Sequence, residues 1–227
     1  MPPPIALSKS RLLSFLQCPK KVWLEQYSPE LEDEEAFDEH AETAAGLVKS
    51  VARDHFSAQV GGDHHRIAHD RGLRAAVAQT TDVLSEGGNA PVFDATFDHE
   101  GLTIQTDVIV RAAGVPELIA VTAAAGVEDH VLHDCAIQSW TLSHCGHRPE
   151  RITIAHLSAD IDLSANELSA GMLKETDVTD RVRPLEAGIG EIIASTRRIL
   201  DELDEPTRAI GPHCQSPGPC PFAKHCG

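Results

Sequence analysis

Pro91-Val92-Phe93-Asp94-Ala95-Thr96-Phe97, then Leu102 to Val110, then Glu117-Leu118-Ile119-Ala120-Val121 are three short β-branched or apolar runs that follow one another in mid-chain. Asp98-His99-Glu100-Gly101 and Ala112-Ala113-Gly114 separate them, so the segment reads as consecutive strands of a meander. On both sides the period turns helical. Upstream, Leu73 to Leu84 reads as a helix stopped by the turn Glu86-Gly87-Gly88-Asn89. Before it, Ala41 to Phe56 carries Val48, Val51, Ala52 and Phe56 on one face. Leu7 to Tyr27 has Leu12, Leu13, Leu16 and Trp23 at helical spacings behind Ser8 or Ser10 as N-cap, with an interruption expected at Cys18-Pro19 because proline has no N–H to donate. Downstream, Val131 to Cys145 returns to helical spacing, Arg151 to Leu157 reads as one more strand, and Glu186 to Leu203 as a final amphipathic helix. The order helix, sheet, helix, strand describes an α/β chain. The acidic run Pro29 to Glu42 reads as a solvated stretch without a function of its own.

A length of 227 residues fits one α/β domain over 1–227 with a small appendage, and is short for two separate cores. The 41% hydrophobic and 24% charged content is that of a soluble protein, and no apolar run approaches the roughly 20 residues that cross a bilayer. The beginning Met1-Pro2-Pro3-Pro4-Ile5 has no secretory pattern, so a cytoplasmic location is expected and a membrane partner is not. Thirty-five acidic against 19 basic residues give a net charge of −16, a field that repels nucleic acid and favours a protein partner. Between Lys49 and Lys174 there is no lysine, which leaves arginine and histidine to supply positive charge there. The six cysteines of a reduced compartment read as metal ligands or buried thiols, not disulfides.

The tail over 205–227 decides between those two. It runs Gly211-Pro212-His213-Cys214-Gln215-Ser216-Pro217-Gly218-Pro219-Cys220-Pro221-Phe222-Ala223-Lys224-His225-Cys226, with five residues between neighbouring cysteines. Thiols set among prolines cannot be stabilised by burial, so a metal centre that contributes folding energy is the simpler account. Cys18, almost the whole chain away, is the natural fourth donor and would clamp the two ends together. Zinc and an iron–sulfur cluster both suit four thiolates, and His213 or His225 could replace one of them on zinc. Cys135 and Cys145, on an apolar helix, read as ordinary buried thiols.

A cysteine in an N-terminal Cys-Pro helix together with three at the C-terminus resembles the RecB-like nucleases of the PD-(D/E)xK superfamily that close their domain with a four-iron, four-sulfur cluster. The CRISPR-associated exonucleases and the AddB helicase–nuclease subunit share this plan, and the chain is most similar to an uncharacterised bacterial RecB-type family. The resemblance is carried by Leu7-Ser8-Lys9-Ser10-Arg11, Cys18-Pro19-Lys20, Trp23-Leu24-Glu25, Phe93 to Phe97, Asp107-Val108-Ile109-Val110-Arg111, Asp134-Cys135-Ala136-Ile137-Gln138 and the cysteine tail. It implies a restriction-endonuclease-like mixed sheet flanked by helices, with the cluster held by Cys18, Cys214, Cys220 and Cys226 joining the ends. It favours iron–sulfur over zinc.

In that family an aspartate ends one strand and an acid-x-lysine triplet sits on the next, because alternate strand residues project to one face and so share one site. The resemblance places the aspartate at Asp107, preceded by Asp94, with Gln138 on the following helix. The triplet falls on Ala120-Val121-Thr122, so Ala120 and Thr122 stand where the acid and the lysine belong. A displaced lysine is not expected, because residues 50 to 173 contain none; a displaced acid would come from Glu128, Asp129 or Asp134, and Glu117 falls on the wrong strand face. The family's upstream histidine falls on Gly46, with His40 and His55 out of register. Asp107, Asp94 and Gln138 are therefore relict positions in a nuclease-like pseudoenzyme that binds DNA ends, single-stranded DNA or a protein partner. The alternatives are an active Mg²⁺- or Mn²⁺-dependent DNA exonuclease with a rearranged centre, and a cluster-based redox or iron sensor. His64-His65 and His69 with Asp63 and Asp70 read as a solvated loop.

Overall fold

The serine at position 8 starts the first helix: its hydroxyl accepts from the Arg11 N–H, and Lys9–Gln17 (α1) follows the two-residue strand Leu7–Ser8 (β1). The computed structural model of the chain describes residues 5–33, 39–112, 115–158 and 170–227. Residues 34–38 of the acidic run and Gly114 of the second turn lie outside the described residues, as does the His40 side chain. At Cys18 the backbone is extended, and Pro19 opens a second helix, Pro19–Tyr27 (α2), at a position where a missing N–H costs nothing.

Glu39–Ala58 (α3) is followed by the strand His65–Arg66 (β2) and by Leu73–Glu86 (α4). The meander then forms, but its first two runs are each split in two. Val92–Phe93 (β3) and Thr96–His99 (β4) are separated at Asp94, whose φ of +59° is left-handed, and Leu102–Gln105 (β5) and Val108–Ala112 (β6) at Thr106-Asp107. The hairpin steps at this point from one sheet to another. β4 and β5 join β1 in a three-stranded sheet, while β3 and β6 belong to a six-stranded mixed sheet of order β2-β3-β6-β7-β8-β9. Here β7 is Val115–Thr122, β8 is Arg151–Leu157 and β9 is Leu173–Asp177. The crossover between the parallel pair β7 and β8 contains Asp129–His144 (α5). The last long helix, Thr179–Asp201 (α6), begins seven residues before the expected start at Glu186 and takes in Pro184; the tail ends in the short turn of helix Ala223–Cys226 (α7).

Alternation along β7 sorts the core. Leu118 and Ala120 face the main cluster with α1, α5 and α6, whereas Ile119 meets Ala52 and Phe56 of α3 on the other face. The expected α/β fold with a mixed sheet between helices is therefore present, in two sheets instead of one meander. Among the described residues no helix is long and apolar enough to cross a membrane.

Candidate functional site

The corner where the hairpin changes sheets carries Asp107. One carboxylate oxygen accepts the Val121 N–H of β7 at 2.9 Å, and the other lies 2.7 Å from the ammonium of Lys49 on α3. The Lys49 side chain is 46% exposed and the Asp107 side chain 11%, so the pair sits at the mouth of the corner. Across from it, Asp134 of α5 holds Lys9 of α1 with both oxygens, at 3.0 and 3.1 Å, and accepts from Gln138 Nε2 at 2.8 Å. Burial works against the Lys9 charge, but the carboxylates of Asp134 and Asp107 outweigh it and hold its pKa above the ordinary lysine value. Gln138 is fully buried, and its Oε1 has no hydrogen-bond partner among the described residues.

Two lysines therefore reach these carboxylates from helices far away in sequence, which corrects the expectation that none could. Residue 120 is alanine, fully enclosed in the main core, and Thr122 Oγ1 accepts the Ala124 N–H at 3.2 Å. Asp94 lies next to Asp107, its N–H donating to the Asp107 carbonyl at 3.3 Å, but its carboxylate is held by Arg66 Nε at 2.8 Å. The three other acids weighed as replacements are engaged elsewhere: Glu128 with His130, Asp129 with Arg181, and Glu117 with Thr153 at 2.5 Å and Arg151. Asp134 alone of the four meets the site. A magnesium ion needs several oxygen ligands free to bind it. Asp107 and Asp134 are each paired with an ammonium group, of Lys49 and of Lys9, which an incoming ion would have to displace.

Beside this corner, residues Lys9, Arg11, Lys49, His69, Thr96 and Asp107 are among those lining a cavity of about 540 Å³. Its charge could not be found from any local motif, since its cations come from α1 and α3. The only signal was the stretch Leu7 to Arg11, in which Lys9 and Arg11 flank Ser10. His69 is hydrogen-bonded to Thr96 Oγ1 at 2.8 Å and His65 pairs with Val92 as part of β2, which corrects the reading of this segment as a solvated loop throughout; His64 is exposed.

The second centre is formed by the chain ends. Cys18, Cys214, Cys220 and Cys226 line one small enclosed cavity, and the first three are buried. Its walls come from both ends of the chain. Gln17 Nε2 donates to the carbonyls of His213 and Gly218, Trp23 Nε1 donates to the Glu202 carbonyl at 2.9 Å, and the Asp33 N–H donates to the Pro221 carbonyl. Trp23, Leu24 and Phe222 pack around Cys214 and Cys220. Lys20 and His225 both bind Glu205, the former at 2.6 Å, which closes the outer side next to Cys226. Among the described residues, no three His, Cys, Asp or Glu side chains stand close enough together to hold a single metal ion. Cys135, by contrast, is fully enclosed in the main core, where burial pushes its thiol pKa far up, and Cys145 packs at the edge of that core with its Sγ towards the Asp98 carbonyl. These two have the surroundings of structural thiols.

No protein-family model matches the sequence, and no curated protein matches it. Solved structures similar to the chain include the protein SSO0001, at 14% identity over 97% of this chain and 84% of that one with a TM-score of 0.44. A protein of Eubacterium rectale provisionally described as an exonuclease is 14% identical over 94% and 93% of the two chains, with a TM-score of 0.43. The alkaline exonuclease of Laribacter hongkongensis is 12% identical over 86% and 90%, with a TM-score of 0.34. Overlaps this loose carry no argument about activity.

Proposed function

We propose that the chain is a catalytically degenerate, RecB-like nuclease-fold protein that carries a four-iron, four-sulfur cluster and binds nucleic acid or a protein partner without cutting. The observation that carries the loss of cutting is the pairing of each remaining carboxylate with a lysine, Asp107 with Lys49 and Asp134 with Lys9. An ammonium satisfies a carboxylate as a metal would, but it offers no site at which water is ionised or a leaving oxygen is held. Asp107, Asp94 and Gln138 are then relict positions, and Ala120 and Thr122 mark the lost triplet.

The cluster reading rests on four thiols around one cavity. A tetrahedral zinc about 2.3 Å from each sulfur would draw the thiols to roughly 4 Å of one another, while each cysteine of a four-iron cluster binds its own iron and stands further out. The four cysteines line one small cavity, which either guest could use, and the resemblance to the RecB-like nucleases is what favours the cluster. When bound, the cluster supplies folding energy to a tail with little apolar content and a one-electron redox centre.

A second reading, an exonuclease that uses Mg²⁺ or Mn²⁺ in a rearranged centre, would require Asp107 and Asp134 to exchange their lysines for the ion. A protein partner in place of nucleic acid is favoured by the net charge of −16. Iron and sulfide analysis with a visible spectrum on anaerobically purified protein, followed by a Mn²⁺ assay on single-stranded DNA, separates these. About four irons per chain and no cleavage is the expected result. Zinc in place of iron would remove the cluster, and cleavage abolished by Asp107→Ala would establish the rearranged enzyme.

A further inference from the structure

The cavity beside Asp107 is electrostatically at odds with the rest of the molecule. In a chain of net charge −16, Lys9, Arg11 and Lys49 open onto one space of about 540 Å³, a size usual for a small-molecule cleft, and among the described residues Asp107 is its one lining carboxylate. The lysines are each ion-paired with an acid, whereas Arg11 has the Glu25 carboxylate nearby but makes its own hydrogen bonds to neutral groups. Its two terminal nitrogens donate to neutral acceptors, the Gln26 side chain and the Ala6 carbonyl. The first turn of α1, which contains Lys9, Ser10 and Arg11, also lines the space, so the positive end of a nine-residue helix adds to the field. Guanidinium and ammonium groups gathered this way suit a tetrahedral oxyanion.

We infer that this cavity holds a phosphate group without a divalent cation, with the Lys49 ammonium taking the role that a metal would otherwise fill beside Asp107. The inference deepens the proposed function and rests on its reading of the site as one that has exchanged metal for lysine. The charge count decides the sign of the central test. In a metal-dependent site Asp107 helps the phosphate by holding the cation; in a lysine-based site it is a bare negative charge facing the phosphate and competing for Lys49. Removing that charge therefore weakens binding in the first case and strengthens it in the second. Asp107→Asn keeps an acceptor for the Val121 N–H, and Lys49 is half exposed, so neither change hollows the core.

The test measures fluorescence anisotropy of a labelled single-stranded oligonucleotide with the holoprotein in EDTA, using a 5′-phosphorylated strand and its 5′-hydroxyl twin, with line broadening of inorganic phosphate by ³¹P NMR as a second readout. Expected is EDTA-resistant binding, weakened about tenfold by Arg11→Gln and by Lys49→Met and tightened by Asp107→Asn. A preference for the phosphorylated strand would assign the cavity to a chain end, and equal binding of the twins to a backbone phosphodiester. Binding that requires Mn²⁺ or Ca²⁺, or that weakens in Asp107→Asn, would overturn the inference. Phosphate binding without oligonucleotide binding would sink the nucleic-acid reading and keep the chemistry of the cavity; oligonucleotide binding indifferent to all three substitutions would do the reverse.

Discussion

Asp134 serves two partners at once, the Lys9 ammonium and the Gln138 amide, and both side chains are partly or wholly shut off from water. Removing its charge leaves Lys9 beside the core without its main counter-ion, an arrangement that costs more than an exposed pair would. Asp134→Ala is expected to destabilise the fold by about 2–3 kcal/mol, read from urea unfolding. The pH dependence has a definite sign. Because the folded pKa of Lys9 is raised above its unfolded value of about 10.4, its contribution is complete at neutral pH and disappears as pH rises through the folded value. Between about pH 8 and about pH 11 the wild type should therefore lose more stability than Asp134→Ala, which has already lost this contribution. Equal losses would show that Lys9 is not coupled to Asp134. At this scale Asp107, Gln138, Ala120 and Thr122 could be singled out only through the family resemblance, which carries a motif residue by residue within one element. Lys9 and Lys49 were hidden because an ion pair formed across folded helices leaves no trace in local spacing.

The break between α1 and α2 is the element on which the tail closes. Cys18 is extended between two nine-residue helices, and Pro19 ensures that the chain cannot run through it as one helix. The turn was legible because proline and its neighbour act locally. The crossing of the hairpin between two sheets was not: the apolar runs continue through Asp94-Ala95 and Thr106-Asp107, and only the left-handed backbone at Asp94 and the hydrogen bond from the Thr106 N–H to the Ala95 carbonyl mark the step. β9, with the polar sequence Leu173 to Asp177 at the sheet edge, likewise has too little apolar alternation to announce itself. Since the tail has few apolar groups of its own, its order should depend on the cysteine centre. Cys220→Ala is expected to lower iron content well below that of wild type and to speed amide exchange in residues 205–227 and in α2, while β7 and β8 keep their protection. Faster exchange spread evenly over the sheet would mean that the centre holds the whole fold and not the joined ends.

For the whole molecule the question is how a chain of net charge −16 could hold a polyanion at all. At low salt the negative field reaches past the cavity and opposes the approach of a strand, while within a Debye length of about 8 Å at physiological salt the three cavity cations dominate what the strand feels. Binding that depends on so few cations releases few counterions. With Lys9, Arg11 and Lys49 as the contacts, and about 0.7 per phosphate on single strands, the slope of log K against log salt should be no steeper than about −2, and screening of the global repulsion should flatten it further. Arg11→Gln should reduce the slope by about 0.7 as well as weakening binding. A titration of oligonucleotide affinity from low to physiological salt measures both. A slope steeper than about −4 would require phosphate contacts well beyond the cavity, on a surface whose overall charge opposes them, and would move the interface elsewhere on the molecule.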